Sequence, residues 1–513
     1  LKILSTSQGR EADEYTIKHE PIKSIDLMER AAGKCFDWIY EHAPQLFPEH
    51  LSGEGEWVFK VVCGPGNNGG DGLAVARMLM HNGYNVELIV VHFSDKSSKD
   101  FDANYEKLGA AAKKQVLHIK QVSELPLFGS DAVIVDAIFG SGINRPAEGI
   151  AAEVIAAINH SGAPVISIDM PSGLYADGAK GEVPPAVHSH HVLTFQSPKL
   201  AFFLAEYAGF VGKVHVLDIG LHPDFMHAVD TDFQLLTASD VRAIRMHRPR
   251  FAHKGSFGHA LLIAGSQGKW GAAVLAARAV LKAGAGLLTV HAGSEGATLV
   301  NQHLPEAMTS IDEGGSHFSN VPDLAAYRSI AVGPGLGTHP QSAASLKLLI
   351  QESKVPLVLD ADALNILADN KTWLAFLPKG SILTPHPGEF ARLLGEKLCH
   401  REGIERQREL STKHGVYILL KGAHSTLSTP GGKVWINSTG NPGMASGGTG
   451  DVLTGIITGL LASGYAPMHA AALGMYIHGL SADLLLNHSA EESILAGEIS
   501  NNLGLAFKDL GHA

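Results

Sequence analysis

Cysteine is nearly absent. Cys35, Cys63 and Cys399 are the only three in 513 residues. Odd in number, widely spaced and without a CxxC pair, they exclude a disulfide framework and a cysteine-built zinc site. A reducing, cytoplasmic setting is expected. Long apolar runs are also missing. The best stretch, Gly455 to Leu480, is broken by Pro467 and two histidines, short of the roughly 18 uninterrupted apolar residues that mark a membrane span. No membrane partner is expected, and the polar opening residues lack a signal-peptide core. Positive charge is scarce: the formal net charge is −11 and no Lys/Arg-rich run occurs, which argues against a nucleic-acid partner. Among 28 histidines there is no HExxH spacing, and the G-x-x-x-x-G-K-[ST] of a P-loop is absent too.

What is present is an ordinary globular composition, 45% apolar and 18% charged, in a chain long enough for two or three cores. Short Val/Ile/Leu-rich runs alternate with helical patterns, which predicts parallel sheets buried on both faces. In the first half the runs are WVFKVVC, NVELIVVHF, DAVIVDAIF, APVISIDM and HVLTFQ. In the second they are HALLIAG, GLLTVHAG, SIAVGPG, PLVLDAD, SILTPH, VYILLKG and KVWINS. Between Asp218 and Asp240 the alternation lapses and turn residues gather. A boundary there gives two α/β domains, residues 1–225 and 226–513.

The stretch Cys63 to Gly72, CGPGNNGGDG, satisfies G-x-G-x-x-G through Gly64, Gly66 and Gly69. A strand-like run from Trp57 precedes it, a helix-like run from Leu73 to His81 follows, and Glu87 lies where a ribose-binding acid is expected. A redox dinucleotide site is the first reading. It weakens because Glu87 sits inside its strand and because Asn67, Asn68 and Asp71 crowd a loop that should be bare. Two further strand ends carry polar groups. Asp136 precedes the loop Gly140-Ser141-Gly142-Ile143-Asn144-Arg145-Pro146, and Asp169 precedes Pro171, Ser172 and Gly173. A parallel sheet brings all three ends to one rim. Singly, each acid could be only a helix cap, and Asp71 is expected to open its helix. Together, the oxygens of Asn67, Asn68 and Asp71, with Asp136 and the Ser172 hydroxyl, suit a hard cation beside a phosphate-binding loop.

The motifs GPGNNGGDG, DAIFGSGINRP and SIDMPSGL resemble the NAD(P)H-hydrate epimerase family. That family interconverts the R and S forms of NADHX and NADPHX, reduced nicotinamide dinucleotides hydrated on the ring. The resemblance implies a Rossmann-like domain that binds the hydrate through Asn67, Asn68, Gly69, Gly70, Asp71, Gly140 to Pro146 and Asp169. It also implies potassium at Asn68, Asp136 and Ser172. Asp169 is the candidate acid/base, since epimerising a carbinolamine carbon moves protons.

In the second half, GGTGDVLTGIITGLL sets Gly447 to Gly450 immediately before a helix that carries Asp451 near its start. Backbone N–H groups there can hold a transferring phosphoryl group, with Asp451 as the base beside it. AVGPGLG, LTPHPGEF and LLKGAHSTL point to the same rim. Asp360 and Asp362 in LDADALN have no assigned role. With HKGSFGHALLIAGS and GAAVLAARAVLKAGAGL, these motifs resemble the ADP-dependent NAD(P)H-hydrate dehydratases, of ribokinase-like fold. The resemblance implies that Ala272, Gly335, His386 and Asp451 contact the S hydrate. It further implies that Lys421, Gly422, Ala423, His424, Ser425 and Gly450 contact the nucleotide, with Mg2+ accompanying ADP. A symmetric homo-oligomer is implied as well. The expected function is bifunctional repair, with small-molecule partners NADHX, NADPHX and ADP. The rival is a ribokinase-type small-molecule kinase with a noncatalytic N-terminal module.

Overall fold

The computed structural model describes residues 1–47, 58–179 and 181–511. Trp57, read above as opening the first strand, lies outside them. The chain divides into two compact units, Lys2–Thr231 with Cys399–Arg401, and Leu1 with Asp232–Leu398 and the chain from Glu402 onward.

The first unit carries β1 (Lys2–Ile3), β2 (Val58–Cys63), β3 (Asn85–Val91), β4 (Leu117–Ile119), β5 (Val133–Ala137), β6 (Val165–Ile168), β7 (His191–Phe195) and β8 (Lys213–Leu217). All but β1 form one parallel sheet in the order β4-β3-β2-β5-β6-β7-β8. Successive residues serve opposite faces, as the strand period requires. Val61, Leu88 and Val133 pack under the helices Ser24–Leu46 and Asn67–His81. Val62, Ile89 and Ile134 pack under Ile150–His160. Strand order reverses between β2 and β5, and the crevice at such a switch point is where an open sheet takes its ligand.

The second unit holds β9 (Phe233–Leu236), β10 (His259–Ile263), β11 (Leu287–Ala292), β12 (Met308–Ile311), β13 (Ser329–Val332), β14 (Leu357–Leu359), β15 (Ile382–Leu383), β16 (Tyr417–Leu420), β17 (Thr426–Ser428) and β18 (Val434–Asn437). They run β9-β18-β17-β16-β15-β14-β13-β10-β11-β12 across the sheet. The expectation of purely parallel sheets is corrected here, because β17 pairs antiparallel with both β16 and β18. The connection Thr429-Pro430-Gly431-Gly432 is a tight turn, with Gly432 at φ +79°, and it is far too short for a parallel crossover. Nor does the boundary stretch lack structure: the helix Pro223–Ala228 and β9 both fall within it. Among the described residues no helix is long and apolar enough to cross a membrane.

One face of this sheet is covered by Trp270–Lys282, Thr449–Ala462, Pro467–Leu485 and Ala496–Leu510. The other is covered by Pro340–Glu352, Ala361–Asp369 and Pro387–Leu394. The Thr449–Ala462 helix lies against Trp270–Lys282 at backbone distance. A Cβ added at Gly455 would stand 2.2 Å from the Ala276 carbonyl oxygen, and one at Gly459 would stand 2.4 Å from that of Val280. Interiors this dense cannot absorb an extra carbon without moving a helix. Gly455→Ala is therefore expected to lower unfolding free energy by about 1–3 kcal/mol. Gly504→Ala, on a helix where an added Cβ meets nothing within 4 Å, is expected to raise it by about 0.4–1 kcal/mol. Urea titrations check both, and equal midpoints for Gly455→Ala and the unaltered protein would contradict the close packing.

Candidate functional site

After Cys63 the chain turns through Gly64-Pro65-Gly66 directly into the helix Asn67–His81. The helix thus starts six residues before the expected Leu73. Asp71 sits in its second turn, and the first turn has no acid, so the helix-opening reading of Asp71 does not hold. The glycines misled because glycine is a poor helix former; here several of them are required because a side chain would not fit. A Cβ on Gly64 would lie 2.2 Å from the Ile138 carbonyl oxygen, and one on Gly69 1.7 Å from that of Gly64. On Gly72 it would lie 2.6 Å from the Ala137 Cβ, and on Gly70 2.8 Å from the Met28 sulfur. Glu87 projects elsewhere, 3.4 Å from the Lys60 ammonium.

Asp136 lies on β5 opposite Ser167 of β6 and is fully buried. It accepts from the Ser172 hydroxyl at 2.5 Å, the Ser172 N–H at 2.9 Å and the Ser167 hydroxyl at 2.7 Å. Burial raises its carboxyl, and these serine donors only partly offset the rise. Asp169 follows β6 with φ at +63°, a conformation that costs a non-glycine residue about 1–3 kcal/mol and clusters at functional sites. It accepts from the Ser141 N–H at 2.9 Å and pairs with Lys199 at 3.3 Å. Burial opposes its ionisation, but Lys199 and Ser141 outweigh that and hold it below the usual carboxylate range. Asp71 goes the other way, pushed well up by burial and then by Asp169 and Asp13.

A cavity of about 180 Å³ joins Asn67, Asp71, Ser141 and Asp169 to Lys199 and Asp13. Gly140 stands just behind, where an added Cβ would come within 3.2 Å of Asn68 and 3.1 Å of Asp169. Gly69 and Gly70 are packed away from the cavity, and Asn144, Arg145 and Pro146 lie on the exposed side of their loop with Gly142; Ile143 is half-buried. The sequence reading missed two residues. Lys199 could have been found, since it follows the carboxyl end of β7. Asp13 could not, because it reaches in from the helix Thr6–His19 with no motif around it.

In the second unit, Ala272, Gly335 and Asp451 line one cleft with Asp362, Lys269 and Gly448. Asp451 stands in the first turn of its helix, after Gly448 at φ +93°. Lys421 to Ser425 and Gly450 line an adjacent cavity of about 580 Å³ with Thr439, Asn441, Met475 and His478. Between the two, Lys421 donates to Asp360 at 2.8 Å and stands 3.8 Å from Glu389. Thr454 donates to the other Asp360 oxygen at 2.8 Å. Burial works against the Lys421 charge, but Asp360 and Glu389 raise its pKa and keep it protonated. Burial, then Asp360, pushes Asp451 up to about 7, with Asp362 and Glu389 adding to the rise and Lys421 opposing it.

His386 lines neither space. Its Nδ1 accepts the Gly388 N–H at 3.0 Å, capping the helix Pro387–Leu394. Its link to the site runs through Glu389, 3.4 Å away. Asp360 and Asp362, left without a role above, are central: Ala361 between them takes φ +49°, so one carboxylate serves Lys421 and the other the cleft, where it accepts the Gly337 N–H at 2.8 Å. Both stand at a strand end, the signal that singled out Asp136 and Asp169.

A family model described as NAD(P)H-hydrate dehydratase matches residues 260–504, and one described as YjeF-related protein N-terminus matches residues 24–201. The bifunctional NAD(P)H-hydrate repair enzyme of Moorella thermoacetica is 35% identical, over 99% of this chain and 97% of its own length. That of Coxiella burnetii is 36% identical over 97% of each chain.

The chain belongs to the bifunctional NAD(P)H-hydrate repair enzymes.

It is an epimerase joined to a dehydratase, and the rival of a small-molecule kinase with a noncatalytic N-terminal half is not favoured, because the family match spans both units. A crystal structure of the ADP/ATP-dependent NAD(P)H-hydrate dehydratase from Bacillus subtilis, co-crystallised with ATP and magnesium, is 33% identical with a TM-score of 0.49. It covers 54% of this chain and 98% of that one. A ribokinase-like protein of Enterococcus faecalis is 26% identical with a TM-score of 0.48, covering 56% of this chain and 99% of its own.

For a repair enzyme of this family, the Asp451 carboxyl titrating near neutrality has a measurable consequence. With Asp451 as the base, the kcat/KM of the dehydratase reaction would rise with pH through about 7, because only the ionised carboxylate accepts a proton. Asp362 raises that value, so Asp362→Asn should move the rising limb to lower pH. A limb that moves up, or stays put, would place the titrating group elsewhere.

Proposed function

We propose that the first unit equilibrates the R and S hydrates at the cavity around Asp169, and that the second dehydrates the S form at Asp451 with ADP as phosphoryl donor. The observation that carries this reading is that Asp451, pushed up to about 7, lies within electrostatic reach of Lys421, whose charge Asp360 and Glu389 favour, at a glycine-started helix. A base poised at the working pH next to an anion-stabilising helix start suits proton abstraction coupled to phosphoryl transfer.

In the dehydratase, Asp451 takes the proton of the ring hydroxyl. The freed oxygen attacks the terminal phosphoryl group of ADP, and AMP departs. Phosphate then leaves the ring carbon as the ring nitrogen's electron pair pushes it out, and loss of the neighbouring C–H proton restores NADH or NADPH. Lys421 and the N–H groups at Gly450 offset the charge that gathers on the transferring group, in the space lined by Lys421 to Ser425. Ala272 and Gly335, with His386 behind Glu389, belong to the hydrate side. Magnesium bound with the nucleotide supplies charge neutralisation, and it takes most of its ligands from phosphates and water. Asp362 is the cleft carboxylate suited to join them.

In the epimerase, Asp169 stays ionised beside Lys199 and acts as the acid/base group at the carbinolamine carbon. Asn67, Asp71 and Ser141 bind around it. Potassium fits Asn68, Asp136 and Ser172: the three offer hard oxygen donors, and the Asn68 amide nitrogen is buried without a partner, so the amide turned over would present its oxygen there. The ion would hold the Gly140 loop against the strand ends. A cytoplasmic location agrees with the unpaired and buried thiols of Cys35 and Cys63; a symmetric assembly of copies is part of the same reading.

The test is recovery of reduced-nicotinamide absorbance from racemic NADHX with ADP and magnesium. Complete recovery is expected; recovery of the S half alone removes the epimerase, and none removes the reading. Asp451→Asn should cost about 10²–10⁴-fold in dehydration, the usual worth of a positioned base. Asp169→Asn should slow only use of the R form, and loss of S-form repair in that variant would overturn the division of labour.

A further inference from the structure

The cavity lined by Lys421 to Ser425 contains a buried histidine that the reaction above does not use. His478 lies on the helix Pro467–Leu485, and with Met475 and Gly479 it forms the helix face that lines this space. Those positions are three and four apart and so share a side. His478 is 7% exposed; the imidazole has a backbone hydrogen bond with Thr449, while its Nε2 is buried with no hydrogen-bond partner. A buried polar atom left without its bond is destabilising, and such atoms are rare enough in folded proteins to need a reason.

The surroundings narrow what the partner can be. Met444, Leu453, Pro442 and Met475 give the cavity an apolar wall, while Asn437, Thr439 and Asn441 supply polar edges. A flat heterocycle with a polar rim suits such a space. Lys421 and Gly450, the phosphate-facing groups, line the same cavity. Burial and then the nearby Lys421 charge hold the imidazole down to about 4. The ring is therefore neutral at physiological pH, suited to an uncharged donor or acceptor rather than to a phosphate. No room exists to rotate the helix away, because a Cβ at Gly479 would already lie 2.4 Å from the Thr439 hydroxyl.

We infer that His478 Nε2 hydrogen-bonds the nucleoside part of the adenine nucleotide, at the purine edge or a ribose hydroxyl, and so helps select which nucleotide enters. The inference rests on the reading of this cavity as the nucleotide site.

The experiment is a double-mutant cycle in which the ligand is the second variant. Binding of ADP, IDP, 2′-deoxy-ADP and 3′-deoxy-ADP is measured by calorimetry on the full chain, for the unaltered protein, His478→Phe and His478→Gln. His478→Phe should weaken ADP about tenfold or more and leave the KM for S-NADHX unchanged. For the one analogue that lacks or inverts the partner group, the unaltered protein and His478→Phe should bind alike. IDP in that role identifies the purine edge, and a deoxy analogue identifies the ribose. His478→Gln, which keeps a polar atom at similar reach, should recover part of the ADP affinity, and it carries the same comparison if the Phe variant does not fold. Equal losses across all four nucleotides would overturn the inference, since a core or water-filling role cannot tell them apart. If instead Lys421→Ala leaves ADP affinity intact, the assignment of the cavity to the nucleotide fails, whatever His478 does.

Discussion

Strand direction is the constraint on which the chemistry of both units depends. Parallel pairing forces every strand of a sheet to deliver its carboxyl end to the same edge, and the switch in strand order opens a crevice there. In the first unit the edge receives Asp136, Asp169 and the start of the Asn67–His81 helix. In the second it receives Asp360, Asp362 and His386. Asp451 and Lys421 come to the same place from the flanking helix and from the end of β16. The antiparallel excursion through β17 and β18 does not break this rule. It turns the chain back only after Lys421 to Ser425 have been set at the rim.

Bringing carboxylates together in a dry place is costly, and each unit meets the cost differently. Asp136 is surrounded by serine donors, Asp360 by Lys421 and Thr454, and Asp169 by Lys199 and a backbone N–H. The acids without such partners, Asp71 and Asp451, answer by favouring the proton. In the first unit one carboxylate, Asp169, is thereby held below the usual range while a neighbour, Asp71, is pushed above it. Environments that drive two like groups apart are what assign acid and base roles in enzymes.

The rim was legible in the sequence because a short Val/Ile run followed by Asp or a glycine loop marks a strand end without knowledge of its neighbours. Asp136, Asp169 and Lys421 follow that rule, and Asp451 is marked instead by the glycines that precede its helix. Asp360 and Asp362 satisfy it as well, although the sequence assigns them no role. Ala361 at φ +49° separates them, and nothing in an alanine announces a left-handed backbone. Helix starts were less legible, since glycine's low helix propensity hid the first turns of Asn67–His81. Asp13 was invisible. It enters from a helix far away in sequence, and pairing across such distances leaves no local period.

The glycines of CGPGNNGGDG carry a more general consequence. Gly64, Gly69 and Gly72 are each pressed against backbone or side-chain atoms, so their spacing records how closely one helix leans on one sheet. Any chain that adopts that lean must write the same letters, whether the dinucleotide it meets is a coenzyme to be used or a damaged molecule to be mended. Clearance accounts for Gly64, Gly69 and Gly72, though not for Gly66, where an added Cβ meets nothing within 4 Å, and it is silent about cargo. Only the side chains it leaves free to vary, here Asn67, Asn68 and Asp71, say what the crevice is for.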